Sequence, residues 1–116
     1  MFNTKHCETG TNVLVDERDR ESVASFAKRS LKEFRQPGAF PKFKLYRQRS
    51  IKVPGSSEAL ELEFSWQSEN GLVWQRQVYA TNETTLVFLT FTTHWENVDR
   101  FKKDADRIVR SFRLLP

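Results

Sequence analysis

ALELEFSWQSENGLVWQRQVYA, residues 59–80, is the stretch whose reading decides the fold. Leu60, Leu62, Phe64 and Trp66 alternate with Glu61, Glu63, Ser65 and Gln67, the period-two pattern of a strand with one buried face. Asn70-Gly71 accepts positive φ and predicts a tight hairpin turn, and the return strand runs from Val73 to Tyr79. A loop of even length sets even positions of the first strand beside odd positions of the second. Leu62, Phe64 and Trp66 then share a face with Gln75, Gln77 and Tyr79. Two glutamines on the most apolar face of a sheet need hydrogen-bond partners, and nothing close in sequence supplies them. They are therefore candidate binding residues. An odd-length loop, or water, would make them ordinary.

Downstream, Thr81 to Thr85 reads as a turn and Leu86 to Thr93 as a strand. That strand is apolar on both sides, with Leu86 and Phe88 on one face and Val87, Leu89 and Phe91 on the other. Such a strand belongs inside a sheet covered on both faces. Thr93 and Glu96 have the spacing of a capping box. A helix follows with the stripe Val98, Phe101, Ala105, Ile108, Val109 and Phe112, ending near Leu114.

Upstream, Pro54-Gly55-Ser56-Ser57 marks a turn. Phe43 to Val53 reads as one long strand with Phe43, Leu45, Ile51 and Val53 on the same face as Arg47 and Arg49, and Tyr46 on the other. Before it, Val23, Phe26, Ala27, Leu31 and Phe34 recur at helical spacing, with Asp19 as the expected N-cap and Pro37-Gly38 as the stop. Gly10 offers a turn, and Val13 to Val15 predicts a short strand. The order is strand, helix, strand, hairpin, strand, helix. This is an α+β domain, an antiparallel sheet with two packed amphipathic helices, spanning 1–116 as a single unit.

The composition agrees with a folded domain: 38% hydrophobic and 29% charged residues, with ten phenylalanines and three tryptophans in 116 residues. A net charge of +4 with acids and bases interspersed falls short of a nucleic-acid footprint. The aromatics sit at core alternation, without the basic-aromatic run of an RNA-stacking sheet. The single cysteine, Cys7, allows no intramolecular disulfide. No stretch approaches the apolar length of a membrane span, and no secretory h-region is visible. As written, the chain reads as soluble and unexported, not embedded in a membrane. His6, Cys7 and Glu8 lack the spacing of a metal site. No nucleophile elbow, phosphate loop or zinc-protease motif occurs. Glu61 and Glu63 mimic a catalytic carboxylate pair, but Arg76 across the hairpin predicts an ion pair on a polar sheet face. The expectation is a non-enzyme without cofactors.

The chain resembles the DcrB-like family of PsbP-like α/β proteins, and within it the Eag chaperones of type VI secretion. The resemblance rests on Arg18-Asp19, Phe26, Arg29 to Leu31, Phe43-Lys44-Leu45, Phe64-Ser65-Trp66-Gln67, Arg76-Gln77-Val78 and Leu89-Thr90 to Thr93. It covers about Asn12 to Arg113, and its strength lies in order and spacing. It implies a cytoplasmic, usually homodimeric adaptor that shields the N-terminal transmembrane segments of an effector and helps load it onto the VgrG spike. It places a partner-contacting glutamine at Gln77 and a second contact at Ser30, where the family carries glutamine. Phe40 matches a groove position, and Phe88, Leu62, Phe64 and Gln75 complete the expected partner-binding set. Family members carry an extra strand or two before Val13, so the resemblance implies either a truncated start or a missing edge of the groove. A second reading is an exported DcrB-like structural or regulatory domain of the cell envelope. A third, nucleic-acid binding, predicts salt-resistant retention on polyanions.

Overall fold

The structure, a computed structural model, describes residues 10–17, 22–82 and 85–114, with the backbone alone for 11–17. Among the described residues five strands form one antiparallel sheet: β1 (Gly10–Glu17), β2 (Lys44–Ser50), β3 (Glu58–Ser68), β4 (Gly71–Thr81) and β5 (Thr85–His94). Their spatial order is β1-β5-β4-β3-β2. Helix α1 (Val23–Phe34) lies on one face and α2 (Val98–Ser111) on the other. The element order and the α+β class read from the sequence are those observed. Gly10 opens β1 instead of turning the chain.

The hairpin at the centre has a two-residue turn, Glu69 and Asn70, flanked by the paired residues Ser68 and Gly71. Gly71 takes the positive φ of 122° as the first residue of β4, and Asn70 does not. The expected turn therefore sits one residue earlier than Asn70-Gly71, yet its length is even. Phe64 faces Gln75 and Leu62 faces Gln77, as the alternation requires. β5 lies between β4 and β1, which explains why its sequence is apolar on both sides.

α1 starts at Ser22, whose side chain accepts a hydrogen bond from the Ser25 amide at 3.0 Å. Asp19, the cap expected from sequence, lies outside the described residues, and a helix has one N-cap. The helix buries Val23, Ala27, Ser30 and Leu31 against Leu60, Leu62, Phe64 and Tyr79. Each fully buried large side chain here contributes roughly 1.5–3 kcal/mol. α2 buries Val98 and Ala105, with Phe101, Val109 and Phe112 packed against Trp74, Leu89 and Phe91. Ile108, placed in that stripe from sequence, is exposed. The Thr93 capping box does not form, because β5 continues to His94 and Thr93 is fully buried in it. A single 3-10 turn, Trp95–Asn97, leads into α2 with no side-chain cap.

The larger departure is at β2. The register shifts between Leu45 and Arg47: Leu45 pairs with Phe64, whereas Arg47 and Arg49 pair with Glu63 and Glu61. The extra residue, Tyr46, makes a bulge, and a bulge exchanges the two faces of everything beyond it. Phe43 and Leu45 consequently pack on the α1 side. Ile51 and Val53 pack on the α2 side, so the four do not share one face with the arginines. Tyr46 bonds Ser65 at 2.9 Å, joining the arginines' face instead of opposing it.

The β2–β3 loop is held against the C-terminal segment by Leu114 N–H donating to the Pro54 carbonyl at 2.8 Å. Gly55 has φ 86°, and a Cβ there would lie 2.0 Å from the Leu114 carbonyl oxygen. Gly55→Ala combines left-handed strain with that collision, so it should cost about 2 kcal/mol in chemical denaturation. An unchanged midpoint would show that the loop and the C-terminal segment separate freely.

Candidate functional site

The α1 side of the sheet carries an apolar groove. Phe26, Ser30 and Phe34 come from α1, spaced by four so that they form one row on the helix. Gln77 and Tyr79 come from β4, and Phe88 and Thr90 from β5. The space enclosed is about 220 Å³. The ring of Phe88 stacks on Phe26 at 4.8 Å and meets Tyr79 edge-on at 5.7 Å. Phe26, Phe34, Phe88, Gln77 and Thr90 are half-buried, so aromatic surface and an amide reach the same opening.

The polar atoms of the groove are organised by Tyr79, which is 2% exposed. Its hydroxyl donates to the Gln77 side-chain carbonyl, and Ser30 also hydrogen-bonds the phenol. Burial pushes the phenol pKa up, only partly offset by Ser30, so Tyr79 stays a protonated donor at any working pH. Tyr79 thus fixes the Gln77 amide. The Gln77 NH2 group has no partner among the described residues and remains a donor for a ligand in the groove.

Of the residues singled out from sequence, Gln77, Ser30 and Phe88 come together here. Phe40 lies beyond the end of the groove, stacked on Phe34 at 4.8 Å and Trp66 at 4.5 Å. Leu62 and Phe64 have no exposure and support α1 from below, without lining the opening. Gln75 is spent internally: its Oε1 accepts from Trp66 Nε1 at 3.2 Å and its Nε2 donates to Thr92 Oγ1 at 2.9 Å. Gln75 is therefore a core residue, accounted for neither by an odd-length loop nor by water but by Trp66 and Thr92, whereas Gln77 faces the opening. Phe26, Phe34 and Thr90 were not anticipated. The helix stripe marked both phenylalanines as core, and only the open space beside β5 turns them into lining.

The opposite face holds charges instead. Arg76 bonds Glu61 through Nε at 2.8 Å and also engages Asp106 of α2. Arg49 reaches the other Glu61 oxygen at 3.0 Å. The expected pairing of Arg76 with both glutamates holds for Glu61 alone, and in a buried setting, not on an open polar face. Glu63 is met by Trp74 Nε1 at 3.1 Å and Lys102 at 3.1 Å. Burial acts to raise the Glu63 pKa, but Trp74, Lys102 and Arg47 together outweigh it and hold the carboxyl below its ordinary value. Every carboxylate in this group has a committed partner, as structural ion pairs do. Among the described residues no cluster of three metal-capable side chains occurs, and no helix is long and apolar enough to cross a membrane.

An antiparallel sheet between two helices is the α+β fold this chain shares with PsbP-like proteins. The solved structures similar to it agree. PA94, a Pseudomonas aeruginosa protein of unknown function described as a candidate regulator, superposes with a TM-score of 0.76 at 17% identity, over 94% of this chain and 85% of that one. LpqN of Mycobacterium tuberculosis, involved in cell envelope biogenesis, gives 0.74 at 12%, over 91% of this chain and 62% of that one. The cyanobacterial PsbP of Synechocystis sp. PCC 6803 gives 0.66 at 13%, over 90% and 66%. The DcrB family model matches residues 8–111, and the chain belongs to the DcrB family. No curated protein matches it.

Two outcomes separate the glutamines and test the charges. Gln75→Ala strands the Trp66 donor and the Thr92 acceptor in the core and should cost about 2 kcal/mol in urea unfolding, whereas Gln77→Ala, at the opening, should cost well under 1. Equal costs would place both in the core. A depressed carboxyl contributes stability above the unfolded carboxylate pKa of ~4.3, and loses it as pH falls through the lower folded value. Glu63→Gln should therefore flatten the acid limb of the stability profile, and an unaltered limb would contradict the Glu63 contacts.

Proposed function

We infer that the protein is a non-catalytic binding domain that shelters an apolar helical segment of a partner protein in the groove beside α1. The observation that carries this is the Gln77 amide, fixed by Tyr79 with its NH2 group unspent, set among the rings of Phe26, Phe34 and Phe88. A helix taken out of a membrane exposes an apolar surface with occasional polar groups that normally bond neighbouring helices. Aromatic rings plus one oriented donor reproduce that neighbour, and the helix is kept from aggregating.

The partner proposed is an effector of type VI secretion with hydrophobic N-terminal segments, held by a cytoplasmic homodimer and passed to a VgrG-type spike. The resemblance to Eag chaperones supports this, together with the convergence of Gln77, Ser30 and Phe88 at the groove. In this chain Ser30 bonds Tyr79, so Gln77 supplies the amide contact without a second glutamine on α1. A second reading, an exported domain acting in the cell envelope, draws support from the fold shared with LpqN.

Co-expression with an effector N-terminal segment should yield a soluble complex on size-exclusion chromatography. Gln77→Ala should weaken it about five- to tenfold, as loss of one hydrogen bond in a dry site does. Phe88→Ala should weaken it further, and Gln75→Asn should act on stability instead. A segment equally soluble alone, or binding indifferent to Gln77 and Phe88, would remove the chaperone reading. Recovery of envelope proteins in its place would establish the second.

A further inference from the structure

The charge of this chain is unevenly placed. Between Ser22 and Ser57 stand nine lysines and arginines against one acid, Glu33. That stretch carries +8, and the rest of the chain, whose total is +4, carries −4. Other residues, mostly uncharged, break up the cations in sequence, so no basic run is visible, and the interspersed pattern of the whole chain fails here. Folding brings three of them, Lys28, Lys32 and Arg35, together along one helix and places Lys44, Arg47 and Arg49 on the opposite face of the sheet.

Lys28, Lys32 and Arg35 follow one another at four and three residues, forming a single exposed row along the outside of α1. The row continues into the next segment, because the Arg35 guanidinium lies 5.5 Å from the Phe43 ring at the entrance to β2. Lys42, exposed, precedes that ring in sequence, whereas Lys44 pairs with Ser65 and lies over Tyr46 on the opposite face of the sheet. No ion pair holds Lys28, Lys32, Arg35 or Lys42 among the described residues. A merely solvated helix face intersperses both signs, whereas this one is nearly all positive.

We propose that the outer face of α1, continued by Arg35 and Lys42, docks the protein on an anionic phospholipid surface. Three features favour lipid over other polyanions. The cations stand along a convex helix and converge on no point, so they fit a field of separate phosphates better than a socket for one acidic side chain. The aromatic rings of α1, Phe26 and Phe34, face inward to the sheet, leaving none on that face of the helix to stack bases. The groove opens on the same side of the sheet as α1. Docking by this face therefore sets the groove toward the bilayer, where an apolar helix would enter or leave it. The net negative remainder of the chain favours the same orientation by repulsion.

The test is co-sedimentation of the full chain with vesicles of phosphatidylcholine alone or mixed with phosphatidylglycerol. Binding should require phosphatidylglycerol and disappear near 1 M salt, where screening reaches about 3 Å. Each contacting cation is worth roughly five-fold in affinity, so K28E/K32E should lose well over tenfold. R100E/K103E, an equal charge change on exposed positions of α2, should bind nearly as the unaltered protein does. Equal loss in both variants would reduce the effect to net charge and overturn the proposal. So would failure to bind phosphatidylglycerol vesicles, or retention on an acidic peptide or RNA that K28E/K32E abolishes while vesicles are ignored. The assay uses the protein alone, so its failure leaves the groove reading untouched.

Discussion

A two-residue turn between Ser68 and Gly71 fixes the pairing of β3 with β4, and the pairing fixes which side chains lie on which face. Since the strand period is two, a slip of one residue would carry Leu62 and Phe64 to the charged side and Glu61 to the aromatic side. Eleven residue pairs are held in this register. One face becomes a platform of Leu60, Leu62, Phe64 and Tyr79 that only an apolar helix stripe can cover. The other combines Trp74, Val78 and Ala80 with Glu61, Glu63 and Arg76, and requires a helix bearing both apolar residues and charges. α1 and α2 meet these two demands and are not interchangeable.

On the α2 side, Glu61 is fully buried, a position that would be costly without countercharge. Arg76 supplies it from β4 and, through Asp106, ties the sheet to α2, while Lys102 makes a second tie through Glu63. Buried ion pairs add little net stability over apolar packing, but each is expensive to break on one side only. Their effect is to accept one axial position and rotation of α2 over the sheet. The groove side has no such network. There Gln75 is closed internally by Trp66 and Thr92, whereas in the set Ser30, Tyr79 and Gln77 the bonding stops one donor short among the described residues, which distinguishes a binding surface from a core.

The site was partly legible. Period-two alternation put Gln75 and Gln77 on the apolar face, because even loop length and strand period are local properties. It could not separate them. Gln75 lies opposite Phe64 and between two residues, Trp66 and Thr92, that are 9 and 17 positions away and close its hydrogen bonds. Gln77 lies where α1 leaves the sheet uncovered. Likewise Phe26 and Phe34 sit on an ordinary helix stripe, and only the groove they share with Gln77, Phe88 and Thr90 leaves them half-buried.

The sequence by itself determined the order of elements, the two helix stripes, the hairpin and its faces, and the interior place of β5, since each follows from periodicity within a short window. Tertiary structure alone decided the β2 bulge, because an extra residue changes no local pattern and shows only against a partner strand. It also decided the burial of Thr93 in β5, where sheet pairing outcompeted a capping box of ordinary spacing. Finally, it set Lys28, Lys32 and Arg35 in one exposed row on α1, while the bulge sent Arg47 and Arg49 to the opposite face. Charge acts through space, and sequence distance does not measure it.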